Sequence, residues 1–146
     1  MQAEAKLIVV GSVAVDISAQ ATAATANGTS LGLSQSTLPG VVSMNLGGVG
    51  RNIAESAHRI LTSHAAQLST ATMLISLVGD DAYGSVLLDE MHHIGMRTDG
   101  LVRESGARTA VCNMVLDSVG SLACGVADMD IIQLLNGQMV GGNRRC

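Results

Sequence analysis

The hydrophobic pattern of the first two thirds of the chain predicts strands and helices in alternation. Leu7-Ile8-Val9-Val10 is a continuous apolar run that ends at Gly11-Ser12, which is typical of a strand buried on both faces. Residues 73–78 form a second run of this kind. Because such runs are typical of parallel sheets, they predict two neighbouring strands in the interior of the protein.

Two segments carry apolar residues at helical spacing. The first stripe is Ile53, Ala57, Ile60 and Leu61, and the second is Tyr83, Leu87, Met91 and Ile94. Glu55 and Arg59 are spaced for an i, i+4 ion pair on the first helix, while Asp81 and Gly95 are the expected N-cap and C-cap of the second. The order strand, helix, strand, helix predicts an α/β architecture with a parallel sheet.

The other segments have weaker or different patterns. Residues 18–44 are rich in Ala, Thr, Ser, Gly and Asn, which favours a loop or a pair of irregular edge strands. Residues 109–116 and 121–126 flank a turn and predict an antiparallel hairpin. Cys112 and Cys124 would then lie nearly opposite one another, at a geometry that permits a disulfide, although reduced thiols are the expectation. Residues 136–146 are expected to form an irregular tail.

Composition and charge exclude several classes of partner. The 146 residues include 8 basic and 12 acidic side chains and the single aromatic ring of Tyr83, which predicts no nucleic-acid binding. No apolar run approaches the ~20 residues that cross a membrane, and the N-terminus does not have the pattern of a signal peptide. Three cysteines without a C-x-x-C pair suit a reducing compartment, so a cytoplasmic location is expected.

A glycine-dense segment and one aspartate are the main candidates for chemistry. In Gly47-Gly48-Val49-Gly50-Arg51-Asn52, backbone amides at the start of a helix can bind an oxygen-rich ligand; the alternative is a tight turn that packs the helix on the sheet. The spacing is neither G-x-G-x-x-G nor a P-loop. Asp16 follows the first strand, at the edge where open α/β folds bind ligands, or else it forms a turn.

These motifs together resemble the N-terminal half of the PfkB/ribokinase-type carbohydrate kinases. The matching elements are Ile8-Val9-Val10-Gly11-Ser12, Asp16, the glycine-dense segment with Ile53-Ala54, and Val78-Gly79-Asp80-Asp81-Ala82-Tyr83-Gly84. The segment Gly106-Ala107-Arg108-Thr109-Ala110, the hairpin and Ala127-Asp128-Met129-Asp130-Ile131 resemble the pseudouridine kinase branch. The resemblance covers about residues 6 to 132.

The resemblance implies a ribokinase-like three-layer sandwich with a small β-lid. Residues 1–135 would be the substrate-binding part, the segments 12–45 and 109–127 would supply the lid, and 136–146 would lie outside the family domain. Closure of such a lid excludes water from the reaction. Two copies of the chain would associate through the lid as a homodimer.

The resemblance also implies roles for individual residues. Asp16 would hold ribose hydroxyls, and the sugar pocket would be completed by Gly47, Gly48, Gly50 and Asn52. Asp128 would contact the base or sugar, with a plain turn residue as the alternative. The family has an asparagine where Ala14 stands here, which removes one substrate hydrogen bond.

The implied reaction of the full-length protein transfers the γ-phosphoryl of ATP, with Mg²⁺, to the 5′-hydroxyl of pseudouridine or a related nucleoside or sugar. The family's catalytic aspartate lies in a Gly-Ala-Gly-Asp motif that this sequence does not contain. No catalytic residue is therefore expected in this chain. The alternatives are a non-catalytic nucleoside-binding or regulatory module, and an incomplete domain that self-associates through an exposed sheet edge.

The histidines are weaker candidates. His92 and His93 are adjacent on the second predicted helix and do not share a face, so no metal site is expected from them. His58 is expected to be an exposed helix residue.

Overall fold

Two separate sheets carry the fold. The computed structural model describes residues 5–22, 37–65 and 68–136. The elements are β1 (Leu7–Val10), β2 (Ala14–Ala21), β3 (Gly40–Gly47), α1 (Val49–His64), β4 (Thr72–Gly79), α2 (Ala82–His93), β5 (Leu101–Glu104), β6 (Val111–Leu116), β7 (Leu122–Asp128) and a 3-10 helix, Asp130–Leu134. One sheet has the order β1-β4-β5 and is parallel, and the other has the order β3-β2-β6-β7.

β4 is the centre of the parallel sheet and is buried as its sequence predicts. Leu74 and Val78 on one face are fully buried against α1 and α2. Leu77 on the other face packs with Ala110 and with Ile131 of the 3-10 helix. The α/β class is therefore confirmed, with both α-helices on the same side of β4.

β1 does not have the burial that its apolar run predicts. Ile8 is 53% exposed and Val10 is 50% exposed, whereas Val9 packs against the core. β1 pairs only with β4, so within the described part of the chain it is an edge strand with one covered face. The prediction of a strand buried on both faces is wrong here because no described strand pairs with the outer edge of β1 and no described element covers the face that carries Ile8 and Val10.

α1 packs through a different face from the predicted stripe. Its buried residues are Gly50, Ala54 and His58, while Ile53 and Ile60 are 54% and 60% exposed. Gly50 lies against the backbone of residue 11, and only small side chains allow so close an approach. The predicted exposure of His58 is also wrong, since it is 4% exposed and its Nε2 lies 3.2 Å from the Ile94 carbonyl oxygen.

α2 follows its prediction closely. Leu87 and Met91 are fully buried, and the Asp81 side chain caps the helix by accepting a hydrogen bond from the Gly84 amide. Gly95, with φ of 79°, follows the end of the helix as the sequence predicts. Tyr83 differs from the prediction because it is 38% exposed.

The second sheet replaces much of the predicted loop. β2 and β3 form a regular antiparallel ladder from Ala14 opposite Gly47 to Ala21 opposite Gly40. β2 is also paired in parallel with β6, so it is an interior strand rather than an irregular edge strand. The rest of the predicted loop, residues 23–36, lies outside the described residues.

The predicted hairpin is confirmed, but its cysteine geometry is not. Asp117 Oδ1 accepts hydrogen bonds from the amides of residues 119 and 121 in the turn. Cys112 lies opposite Ala127, and Cys124 lies opposite Val115. The two thiols are therefore offset by three positions and lie on opposite faces, which rules out a disulfide between them. Cys146 and the predicted tail from residue 137 lie outside the described residues.

The carboxylate of Asp81 joins the parallel sheet to the second sheet. It accepts hydrogen bonds from the Thr109 amide at 2.8 Å and the Thr109 hydroxyl at 2.7 Å, just before β6 begins. The same hydroxyl accepts one from the amide of Gly79 at the end of β4. Burial raises the pKa of Asp81, but the hydrogen bonds from Thr109, Gly84 and Tyr83 outweigh it and hold the pKa below the ordinary 3.8.

Replacing this carboxylate should destabilise the protein. We expect Asp81→Ala to lower the free energy of unfolding by about 2 to 4 kcal/mol at pH 7, because it leaves buried donors unpaired. Since the folded-state pKa is lowered, this stability is present above the unfolded pKa and is lost as the pH falls through the folded pKa. Urea unfolding of both proteins at a series of pH values measures this difference, which should shrink below about pH 4.

The neighbouring carboxylate is a matched control. Asp80 pairs with Arg103 at 3.1 Å, and their side chains are 68% and 41% exposed. Asp80→Ala should change the free energy of unfolding by less than about 0.5 kcal/mol. Equal effects of the two substitutions would show that Asp81 does not join the sheets.

Candidate functional site

Asp16 lies on a polar face of the second sheet. It is directly opposite Asn45 on β3 and Cys112 on β6, and residues paired in this way share a face. Two positions along β2, the Ser18 hydroxyl lies 2.7 Å from the Ser43 hydroxyl on the same face. The described part of the chain offers the Asp16 carboxylate no hydrogen bond or ion pair. It is thus a half-exposed acceptor that a ligand can use.

Gly47 provides the space that the Asp16 carboxylate occupies. A Cβ at position 47 would overlap both carboxylate oxygens of Asp16. Gly47 itself is buried at the end of β3. The predicted aspartate and the first glycine of the motif are therefore in direct contact.

Gly48 and Gly50 pack α1 against the connection between β1 and β2. Gly48 has φ of 92°, and a Cβ there would lie 2.6 Å from the Ser12 carbonyl oxygen. A Cβ at Gly50 would lie 2.7 Å from the carbonyl carbon of Gly11. These contacts favour the alternative that the sequence left open, a tight turn that packs the helix on the sheet.

Ser12 uses two of the amides at the start of α1. Its hydroxyl accepts a hydrogen bond from the Val49 amide at 3.1 Å, and its carbonyl accepts one from the Arg51 amide at 3.0 Å. Two of the backbone amides at the N-terminus of α1 are therefore already hydrogen-bonded within the protein. They are therefore not free for an oxygen-rich ligand.

Asn52 lies in the first turn of α1, close to the end of β3. Its amide donates to the Gly48 carbonyl at 3.0 Å. Its side-chain Oδ1 accepts a hydrogen bond from Arg51 Nη1 at 3.1 Å, and the same nitrogen donates to the Leu46 carbonyl at 2.9 Å. A chain of contacts thus runs from the Asp16 carboxylate through Gly47 and the adjacent Leu46 carbonyl to Arg51 and Asn52, and we call this region the corner.

Asp128 is not brought together with Asp16. It lies at the end of β7, opposite Val111 of β6, which is itself opposite Val15 of β2. These three residues share one face of the sheet, and Asp16 is on the other face. Its Oδ2 accepts a hydrogen bond from Arg108 Nε at 2.7 Å, which holds the pKa of Asp128 below its usual range. Asp128 is thus a strand-end residue held by an ion pair with Arg108, and it is not in a turn.

A cavity lies at this end of the sheet. It has a volume of about 230 Å³, and Arg108, Asp128 and Asp130 lie along its wall. This cavity is separate from the corner that holds Asp16 and Asn52.

Potential metal ligands are not clustered in the described part of the chain. Residues 5–22, 37–65 and 68–136 contain no group of three or more His, Cys, Asp or Glu side chains placed to hold a metal ion. His92 Nε2 instead lies 3.0 Å from the Thr98 hydroxyl. None of the described helices is long and apolar enough to cross a membrane.

Four polar residues are absent from the sequence-based candidates. They are Ser12, whose hydroxyl accepts a hydrogen bond from the Val49 amide, and Ser18, Ser43 and Asn45, which share the face of Asp16. The signal for the last three is alternation of polar and apolar residues along 15–18 and 42–46. Period-two alternation predicts strands with one polar face, and here it was obscured by the small polar residues between these segments.

The family model for pfkB family carbohydrate kinases matches residues 4–128 of this chain. The chain belongs to this family. The matched range contains both sheets, both α-helices, Asp16 and the glycine-dense segment. The resemblance inferred from the motifs is thereby confirmed at the level of the family.

Individual relatives agree with this assignment. The chain is 31% identical over 106 residues to the uncharacterized sugar kinase YeiI of Escherichia coli (strain K12), which covers 73% of this chain and 27% of that protein. It is 33% identical over 93 residues to the pseudouridine kinase of the same organism, covering 64% of this chain and 27% of the relative. The chain thus spans little more than a quarter of these proteins.

Solved structures confirm the ribokinase-like fold. A putative sugar kinase from Clostridium perfringens superposes with a TM-score of 0.71 at 26% identity, covering 94% of this chain and 39% of that one. Ribokinase from Giardia lamblia superposes with a TM-score of 0.73 at 20% identity, covering 94% and 40%. The described part of this PfkB chain therefore has the fold of its relatives.

The contact between Gly47 and Asp16 can be tested by a double-mutant cycle. Gly47→Ala should lower the free energy of unfolding by about 1 to 3 kcal/mol, because the new methyl group displaces the carboxylate. In an Asp16→Ala background the same change should cost less than about 0.5 kcal/mol. Urea unfolding of the four proteins measures the coupling.

Gly125→Ala is the control for this cycle. It lies in the same sheet, and its Cβ would be 3.4 Å from the nearest atom, the Asn113 carbonyl oxygen. Its effect should not depend on Asp16. Additive effects of Gly47→Ala and Asp16→Ala would contradict the close contact.

Proposed function

We propose that this chain is the substrate-binding part of an ATP-dependent PfkB kinase that acts on a sugar or nucleoside. The observation that carries the proposal is the half-exposed Asp16 carboxylate, which has no partner among the described residues and lies against Gly47. A carboxylate is an acceptor only, so it binds groups that donate hydrogen bonds. Two vicinal hydroxyls of a ribose can donate to its two oxygens at once.

The surrounding residues suit a polyhydroxyl ligand. Asn45, Ser18 and Ser43 extend the polar face around Asp16, and the Asn52 carboxamide lies at the adjoining corner. A site that hydrogen-bonds hydroxyls discriminates strongly against analogues without them, because its polar groups are then left unpaired. The four-stranded sheet, whose described strands lie mostly within the segments 12–45 and 109–127, would act as a lid that excludes water when it closes over the sugar.

Pseudouridine is the proposed substrate of the full-length protein. The support is the 33% identity to a protein named pseudouridine kinase and the resemblance of residues 106–110 and 127–131 to that branch. The reaction would transfer the γ-phosphoryl of ATP to the 5′-hydroxyl of pseudouridine, in the cytoplasm. Asp16 would hold the ribose diol, at the side of the sugar away from the 5′-hydroxyl.

Phosphoryl transfer by residues 1–146 alone is not part of the proposal. The sequence has no Gly-Ala-Gly-Asp motif, the motif that carries the catalytic aspartate in the family it resembles. Residues 1–135 would instead be the substrate-binding part of a larger catalytic unit, as the coverage of about a quarter of the relatives suggests. The second candidate is a non-catalytic nucleoside-binding module, which is favoured by a polar corner built wholly from this chain.

Titration calorimetry with pseudouridine, uridine and ribose tests the proposed function. The protein should bind at least one of these, and Asp16→Ala should weaken binding about 10-fold to 100-fold, because charged hydrogen bonds contribute about 1.5 to 3 kcal/mol each. Asp89→Ala on the exposed side of α2 is the matched carboxylate control and should bind as the unchanged protein does. Equal affinities for the two variants, or no binding by the unchanged protein, would refute the site.

A phosphorylation assay then tests whether residues 1–146 catalyse the reaction by themselves. Binding without transfer of radiolabelled phosphate from ATP to pseudouridine is expected for residues 1–146. Transfer above a protein-free blank, lost in Asp16→Ala, would show that this chain is itself a kinase.

Association of two copies through the lid sheet is also proposed. The face opposite Asp16 carries Val42, Met44 and Val126, which are 70%, 48% and 73% exposed. Burial of such apolar residues favours a dimer. The alternative interface is the edge strand β1, where Ile8 and Val10 are exposed.

Light scattering after size exclusion distinguishes the two interfaces. The unchanged chain of 14.9 kDa should elute with twice that mass, and Val42→Lys with Val126→Lys should give a monomer. The control pair Ile8→Lys with Val10→Lys should leave the dimer intact. If only the β1 pair changes the mass, association runs through the sheet edge and the lid dimer is wrong.

A further inference from the structure

Arg51 is held in one orientation between β3 and α1. Its side chain is 12% exposed. Nη1 donates to the Leu46 carbonyl at 2.9 Å and to Asn52 Oδ1 at 3.1 Å, and Nη2 pairs with Glu55 Oε2. The planar guanidinium thus contacts a strand carbonyl, a side-chain amide and a carboxylate at the same time.

The carboxylate of Glu55 is itself fixed. Its Oε1 accepts a hydrogen bond from Arg59 Nε at 2.7 Å, while its Oε2 pairs with Arg51. The Glu55 side chain is 15% exposed and the Arg59 side chain 63% exposed. One carboxylate is therefore shared by a buried arginine that reaches the candidate site and an exposed arginine that does not.

The contact with Arg51 decides which end of the Asn52 carboxamide is available to a ligand. A side-chain amide has an acceptor oxygen and a donor nitrogen. With Oδ1 against a guanidinium, rotation by 180° would place the NH₂ group against a cation, so the oxygen stays on the arginine side. The group left for a ligand is the Nδ2 amide, which can only donate.

We propose that Arg51 is a positioning residue that acts through Asn52, orienting its Nδ2 amide to donate to a substrate hydroxyl. The inference rests on the proposed function, because it takes Asp16 and Asn52 to contact one ligand. Asp16 only accepts hydrogen bonds and the oriented Asn52 only donates them. A hydroxyl satisfies both at once, whereas an ether or carbonyl oxygen cannot donate to Asp16 and an ammonium group cannot accept from Asn52.

A double-mutant cycle on ligand affinity tests the coupling. Arg51→Met keeps most of the side-chain volume and removes every donor, and Asn52→Ala removes the amide. Each change should weaken binding of the nucleoside about 10-fold, the effect of one hydrogen bond with a charged or oriented partner. In the Asn52→Ala background, Arg51→Met should cause no further loss. If the affinity of the double variant instead falls by the product of the two single losses, the proposal is wrong, because Arg51 would then act independently of Asn52.

Two further variants separate positioning from general structural support. Arg59→Met removes the other arginine partner of Glu55 and should leave the affinity unchanged. Arg51→Lys keeps the charge but cannot make the three contacts together, so its affinity should fall as in Arg51→Met. Full affinity in Arg51→Lys would contradict a requirement for the guanidinium geometry.

A measurement without ligand distinguishes this proposal from the proposed function. In ¹⁵N NMR relaxation of the unchanged protein, the Asn52 side-chain NH₂ should be ordered, while that of exposed Asn45 should be mobile. The Asn52 signal should become mobile in Arg51→Met and stay ordered in Arg59→Met. Mobility of Asn52 equal to that of Asn45 in the unchanged protein refutes the positioning role, even if Arg51→Met does not fold. An ordered Asn52 without nucleoside binding instead refutes the proposed function alone.

Discussion

The close approach of α1 to the connection between β1 and β2 is the constraint on which the rest of the structure depends. Gly48 and Gly50 lie so near residues 11–13 that a side chain at either position would overlap backbone atoms. Gly47 directly precedes this contact, and the register of β2 with β3 places it against the Asp16 carboxylate. The glycines are therefore needed for packing, and the corner around Asp16 adjoins the packed start of α1.

Elements that are specified by local signals could be predicted from the sequence, whereas elements whose burial depends on contacts with distant segments could not. β4, α2 and the hairpin are specified by local signals: a buried apolar run, the Asp81 cap and the Asp117 turn. The buried face of α1 depends on a contact with another segment, so Ala54 and His58 are buried although the apolar stripe lies elsewhere. The exposure of β1 likewise depends on which elements lie beside it, and periodicity carries no information about neighbours.

The sequence pointed to only some residues of the candidate site, because the others are placed by strand register. Asp16, Gly47 and Asn52 are candidates because they belong to short motifs, and the structure links them by contacts through Leu46 and Arg51. Strand register alone places Asn45, Ser18 and Ser43 on the face of Asp16. The many small polar residues of this segment obscured the strands in the sequence. The predicted position of Cys112 nearly opposite Cys124 was wrong because it also depends on strand register, and a shift by an odd number of residues moves a side chain to the other face.

The central claim is that the corner around Asp16 binds a ribose diol. NMR titration of pseudouridine into the ¹⁵N-labelled protein tests it most directly, because each backbone amide reports its own surroundings. The account predicts that the largest chemical-shift changes occur at Asp16, Asn45, Gly47 and Asn52. Changes confined to the cavity beside Arg108 and Asp128, or no changes at saturating nucleoside, would contradict it.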